Sequence, residues 1–190
     1  VLLVVQFGIS MALITGVAVI FNQLSYIRHK NLGFKKEEVL VIPMKNETVR
    51  PRMEALKSEL LRVEGVKAVT ASSNLPGGQF NQNSVSLVEN PEDDIDISEA
   101  FVDYNFLNTL DIELADGRFF TMEDRNDSTL RLVINETAAR QLHTGSVVGK
   151  ELNWFLYEDD EPLKGRVVGV VKDFHFQSLH EPVRPLLFAL

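Results

Sequence analysis

Cysteine is absent from the 190 residues, which excludes disulfides, thiolate metal sites and a cysteine nucleophile. Positive charge is in deficit, with 19 Lys and Arg against 27 Asp and Glu, a net charge of −8 and a pI near 5.0. A protein that grips phosphate backbones needs a basic surface, so nucleic acid is not an expected partner. Charge of either sign is missing from Val1 to Ile27, although charged residues make up 24% of the chain as a whole. Hydrophobic content of 45% is ordinary for a globular protein, but that average conceals two chemically different regions.

The uncharged region reads VLLVVQFGISMALITGVAVIF from Val1 to Phe21, without proline. As a helix it would span ~31 Å at ~1.5 Å per residue, the thickness of a bilayer core. Gln6, Ser10 and Thr15 are polar but uncharged. Gly8, Ala12 and Gly16 recur at i, i+4 and i+8, so one helix face is lined by small residues that admit a neighbouring helix. A signal peptide would start with a basic stretch and carry a shorter apolar core. A buried helix of a soluble protein would show a polar stripe. The reading is therefore a transmembrane helix packed in a bundle, with Tyr26 as an interface anchor. The chain does not start with Met and is expected to be a fragment. Arg28, His29, Lys30, Lys35 and Lys36 follow the helix, which by charge alone would put that flank in the cytoplasm.

Beyond the helix stop at Asn31-Leu-Gly33, periodicity predicts a mixed α+β domain. Strands are expected at 38–44, 66–72, 83–89, 97–102, 130–134, 149–155, 165–173 and 185–190. Helices are expected at 48–64, capped by Thr48, at 104–110, and at 135–142, capped by Asn135. The first strand, helix and strand would form a β-α-β start. Residues 90–96 and 158–161 read as acidic loops, and Asp116-Gly117-Arg118 as a turn.

Catalytic and cofactor motifs are scarce. Gly145-Ser-Val-Val-Gly149-Lys150-Glu151 falls short of a phosphate loop by one residue between its glycines, and Glu151 stands where a magnesium-holding hydroxyl is needed. It reads as a turn into a strand, so ATP hydrolysis is not expected of this chain. Asp173, His175 and His180 are the best cluster for a metal or acid–base role, and a polar strand end is the preferred reading. Ser72-Ser73 has no evident base, and the sequons starting at Asn46, Asn126 and Asn135 are short enough to arise by chance. Phe174 and Phe176 alternate with Asp173 and His175 and read as core. No cofactor, no metal site and no enzymatic activity are expected.

Several stretches taken together resemble a known family. VVQFGISMALITG runs into NQLSYIRHKNLGFKKEEVLVI, followed by AFVDYNFLNTLDIELADGRFF, LVINETAARQL and GRVVGVVKDFHFQSLHEPVRPLL. These collinear segments, covering nearly the whole chain, resemble the FtsX/MacB-type ABC transporter permeases, in particular the MacB-like periplasmic core domain that follows a membrane helix. The resemblance implies a permease subunit in the bacterial inner membrane with its main domain in the periplasm, against the local charge pattern. It implies a helix and its extension at 1–27 and a core domain at 28–190. That domain would have a porter-like lobe at about 37–95 and 164–190 and an inserted second lobe at about 96–163. Implied partners are a separate ABC ATPase subunit, a second permease copy or half, a periplasmic adaptor or substrate protein, and membrane lipid. Function would be mechanical transmission of ATP-driven motion, with Asn31 and Gly33 as hinge and Gly8, Ala12 and Gly16 as the helix-packing face. The alternatives are a membrane-anchored binding or sensor domain without transport, and a membrane-anchored hydrolase using Asp173 and His175.

Overall fold

In a computed structural model the described residues are 2–44, 51–126, 129–143, 145–156 and 161–190. The helix start expected at Thr48, the sequons beginning at positions 46 and 126, and the acidic turn expected at 158–161 lie wholly or partly outside them. The chain divides into two units, Val1–Leu32 and Gly33–Leu190.

The first unit is one helix, α1 (Leu2–His29). Leucine, alanine, methionine and long aliphatic side chains favour it, and no proline interrupts it. Every residue from Leu2 to Ile27 is exposed, so the apolar side chains have no protein interior to enter. Thr15 returns its hydroxyl to the Met11 carbonyl at 2.8 Å, which removes its one strong polar demand inside the apolar run. At the far end Lys30 lies over the Tyr26 ring at 5.4 Å and donates to its hydroxyl at 3.1 Å.

The second unit contains α2 (Met53–Leu61), β1 (Asn81–Leu87), β2 (Asn90–Phe101), α3 (Phe106–Leu110), β3 (Leu114–Gly117), β4 (Leu130–Asn135), α4 (Glu136–Gln141), β5 (Glu151–Phe155), β6 (Leu163–Val171) and β7 (Leu186–Ala189). The strands form a single mixed sheet in the order β3-β6-β4-β7-β2-β1-β5. β5 pairs a second time with β6, so β6, β4, β7, β2, β1 and β5 close into a ring. β6 manages this by splitting one edge: its start, from Leu163 to Arg166, pairs with β5, and its end, from Gly169 to Val171, pairs with β3. Closure removes exposed strand edges.

One face of all six ring strands feeds a single apolar cluster. It includes Val85 and Leu87, Ile97, Leu132 and Ile134, Leu152 and Trp154, Val167, and Leu187 and Ala189, with Ala138 of α4 and Leu142 just after it packed against them. The opposite face of β2, β4, β6 and β7 carries Ala100, Val133, Val171, Leu186 and Phe188, covered by Phe106, Leu107 and Leu110 of α3 and by Phe174 and Phe176. β7 is thus buried on both sides, which accounts for its unbroken apolar sequence.

Two close approaches demand glycine. A Cβ on Gly169 would lie 2.1 Å from the Arg118 carbonyl oxygen. Gly117, at φ +68°, would put one 2.4 Å from the Val168 carbonyl oxygen.

Three expectations need correction. The acidic stretch 90–96 is the first half of β2, paired with β1 in a hairpin that points its charges outward. Asp116 and Gly117, expected in a turn, end β3. Residues 38–44 and 66–71 form no strand, and only Ser72 bridges to Val102, so the expected β-α-β start is absent. Both stretches are apolar enough for strands, but 38–44 joins no strand and 66–72 meets the sheet only at its end, where residues 71–73 bond to 101–103. All seven strands belong to this one sheet.

Candidate functional site

In α1 the residues Gly8, Ala12 and Gly16 lie on one face, and a Cβ added at Gly8 or Gly16 would meet nothing within 4 Å. The helix from Leu2 to Ile27 is long and apolar enough to cross a membrane.

Asn31 belongs to the first unit and Gly33 to the second. Gly33 has φ +82°, and a Cβ there would lie 2.7 Å from the Phe174 Cβ. Phe34 follows, edge-on to Phe174 with centroids 6.1 Å apart, and the Lys35 amide donates to the Leu110 carbonyl at 2.7 Å. The start of the second unit is therefore seated on the outer aromatic layer of the barrel.

Asp173 commits its carboxylate to α4 and the α4 cap. It accepts from Asn135 Nδ2 at 2.9 Å, from the Thr137 amide at 3.0 Å, from Thr137 Oγ1 at 2.8 Å and from Arg140 Nη2 at 2.9 Å. Its own amide donates to Glu136 Oε2 at 3.0 Å. These bonds bind the first turn of α4 to the end of β6. Asn135 caps that helix as expected, accepting from the Ala138 amide at 3.0 Å and from the Leu186 amide at 2.9 Å. It is fully buried, which removes its sequon from the surface. Among the described residues no group of three His, Cys, Asp or Glu is placed to hold a metal ion.

The remaining motifs resolve into local structure. Around Gly149 the amides serve protein carbonyls, Gly149 donating to Val167 at 2.8 Å and Lys150 to Val147 at 3.1 Å, while the Lys150 ammonium pairs with Glu89. Ser73 Oγ accepts the Phe101 amide at 2.9 Å, and Ser72 Oγ turns to the Asn74 carbonyl.

Sequence reasoning missed two polar centres. Asp124 receives both Arg118 guanidinium nitrogens at 2.6 and 2.7 Å, and the Thr121 amide and hydroxyl at 2.8 and 3.0 Å. The hydrogen bond from Arg118 holds the Asp124 carboxyl well below the usual carboxylate range, and it outweighs the opposing effect of burial. The second centre is Lys57, the one buried residue of α2, with its ammonium 2.8 Å from Asp103 and 3.3 Å from Glu54. Burial acts to lower its pKa, but the hydrogen bonds and charges of Asp103 and Glu54 prevail and raise it. A lysine on the Met53–Leu56–Leu60 face was the available signal: a charge inside an apolar stripe.

A helix of membrane-crossing length and composition, followed by a separately folded mixed sheet domain, defines the class: a folded domain attached to a candidate membrane helix. The MacB-like periplasmic core domain family matches residues 3–185, through helix and sheet domain alike, and the chain belongs to that family, a domain of ABC transporter permease-type proteins. The periplasmic region of MacB from Actinobacillus actinomycetemcomitans is similar, at TM-score 0.51 and 16% identity over 72% of this chain and 53% of that one. The extracellular domain of the noncanonic ABC-type transporter YknZ from Gram-positive bacteria gives TM-score 0.49 and 23% identity, covering 72% and 60%. A domain of a putative permease from Porphyromonas gingivalis gives 0.45 and 20%, covering 67% and 52%. The chain thus spans a little over half the length of these structures. No curated protein matches it.

Proposed function

We propose that this chain is part of an ABC transporter permease subunit that carries ATP-driven motion across the bacterial inner membrane to a periplasmic head. The observation that carries this reading is the continuity of the family match from residue 3 to 185, across both the apolar helix and the barrel. In this reading α1 spans the lipid, and its Gly8, Ala12 and Gly16 face packs on a second permease copy or half. Hydrolysis belongs to a separate ATPase subunit. Gly33, whose backbone only glycine adopts without strain, fixes one side of a short joint, and Asn31 lies on the other. A stiff joint passes helix tilt outward instead of dissipating it. The barrel then engages an adaptor or substrate protein.

Two experiments test it. In spheroplasts carrying the full permease, protease added outside should cut the domain, and a domain shielded from that protease overturns the placement. In the reconstituted permease–ATPase complex, Gly16→Leu should lower transport-coupled ATPase activity several-fold while the circular dichroism of the domain is unchanged. Full coupling in that variant removes the packing face from the mechanism.

A further inference from the structure

The described residues of 35–79 are attached to the barrel in a way the rest of the domain is not. Among the described residues, neither apolar cluster includes any member of this stretch. The returning segment is stitched to the end of β2 by backbone: Ser73 donates to the Phe101 carbonyl at 2.8 Å, Asp103 to the Ala71 carbonyl at 3.1 Å, and Ser72 bridges Val102. α2 has a different attachment. Its only buried residue is Lys57, 4% exposed, whose ammonium reaches Asp103 and sits 4.6 Å above the Tyr104 ring. Glu54, one turn earlier, accepts from the Tyr104 hydroxyl at 3.0 Å and pairs with Arg125 at 3.7 Å. Asp103 is held in place for this by the Thr70 hydroxyl, by the Ala71 amide at 2.9 Å and by the Asn105 amide at 3.0 Å.

A helix docked by apolar burial releases surface gradually as it is perturbed. A helix docked by a buried ion pair behaves otherwise: removing one partner leaves a charge out of water without compensation, whereas removing both leaves none. We propose that α2 is a detachable element held on the barrel by an electrostatic latch, Lys57 on Asp103, so that it opens and closes independently of the barrel core. The latch lies within the sheet domain and does not rest on the transport reading.

The test is hydrogen exchange followed by mass spectrometry on the full chain in detergent micelles. Asp103→Asn keeps the shape of the side chain and leaves the buried ammonium only the half-exposed Glu54 as a carboxylate partner. Amides of α2 should exchange about tenfold faster or more, while those of β4 and β7 keep wild-type protection. Adding Lys57→Met to that variant should restore protection of α2, because the buried ammonium that lost its Asp103 partner is then gone. Should Asp103→Asn not fold, Lys57→Ala, which removes the helix's one buried side chain, should give the same selective acceleration. Unchanged α2 exchange in the single variant, failure of the double variant to restore it, or parallel loss of protection in β4 and β7 overturns the latch.

Discussion

The closed ring of β1, β2 and β4 to β7 and the described residues of the stretch 35–79 belong to one folded unit but are held by opposite chemistry. In the ring, apolar side chains from six strands meet on one face and a second apolar layer covers part of the other. In the stretch, Leu40, Ile42, Leu61 and Val63 are exposed, and a lysine is the buried residue of the helix. Hydrophobic burial is non-directional and shared over many contacts, so the ring should unfold as one cooperative body. An ion pair is directional and concentrated in a few atoms, so the stretch should respond to single charges. The difference teaches where this domain is rigid and where it can rearrange without unfolding.

The comparison breaks most sharply at Trp154. It is 1% exposed inside the barrel, and its indole N–H has no hydrogen-bond partner among the described residues. Trp154→Ala should cost about 3–5 kcal/mol, with loss of protection in every ring strand. Chemical denaturation followed by circular dichroism reads the cost. A loss confined to β5 would show that the ring is not one cooperative body.

Gly169 comes next. An added methyl has no room against the Arg118 carbonyl, which is backbone and cannot swing aside. Gly169→Ala should separate β3 from β6 and cost about 1–3 kcal/mol. Hydrogen exchange should report the loss first at Leu114–Gly117, with the ring strands following only as global stability falls.

Asp124 tests the polar chemistry on the ring side of the comparison. Asp124→Asn removes the charge that binds Arg118 and should cost about 1.5–3 kcal/mol at neutral pH. The sign with pH follows from the depressed carboxyl. The contribution is fully present above the ordinary carboxylate value of about 3.9 and is lost as pH falls through the lower folded value. The difference in melting temperature between wild type and variant should therefore be constant from neutral pH to about pH 5 and narrow progressively below about pH 4. A gap that widens on acidification would contradict the assignment of that shift to the Arg118 pair.

The same contrast explains what could be read in the amino-acid pattern. α1 was legible because an uncharged run of bilayer length has few other meanings. β4, β7 and the Asn135-capped α4 were legible because apolar continuity and a cap residue act locally. The acidic half of β2 was not: Glu92, Asp93 and Asp94 have poor strand propensity, and pairing with β1 overrides it. The opposite error fell at 38–44 and 66–71, where β-branched residues have the propensity but form no strand of the sheet. Ring closure is a long-range property of the β5–β6 pairing, which no local window contains. The family resemblance drew on the collinear order of segments, so it was independent of these local errors. The open Gly8–Ala12–Gly16 face could be read from spacing alone, whereas the Lys57–Asp103 pair joins positions that only the folded chain brings together.

The smallest expected effect is also the sharpest check on the contrast. Leu61 lies on α2 and is 46% exposed, with no place in either apolar cluster. If α2 is held by charge, Leu61→Ser should change stability by no more than about 0.5 kcal/mol, as for an ordinary surface position, and leave α2 exchange close to wild type. A larger loss, measured by denaturant titration and matched by faster exchange at Met53–Leu61, would mean that apolar contact holds the helix. The stretch would then differ from the ring in degree only, and the charges at Lys57 and Asp103 would be incidental to its docking.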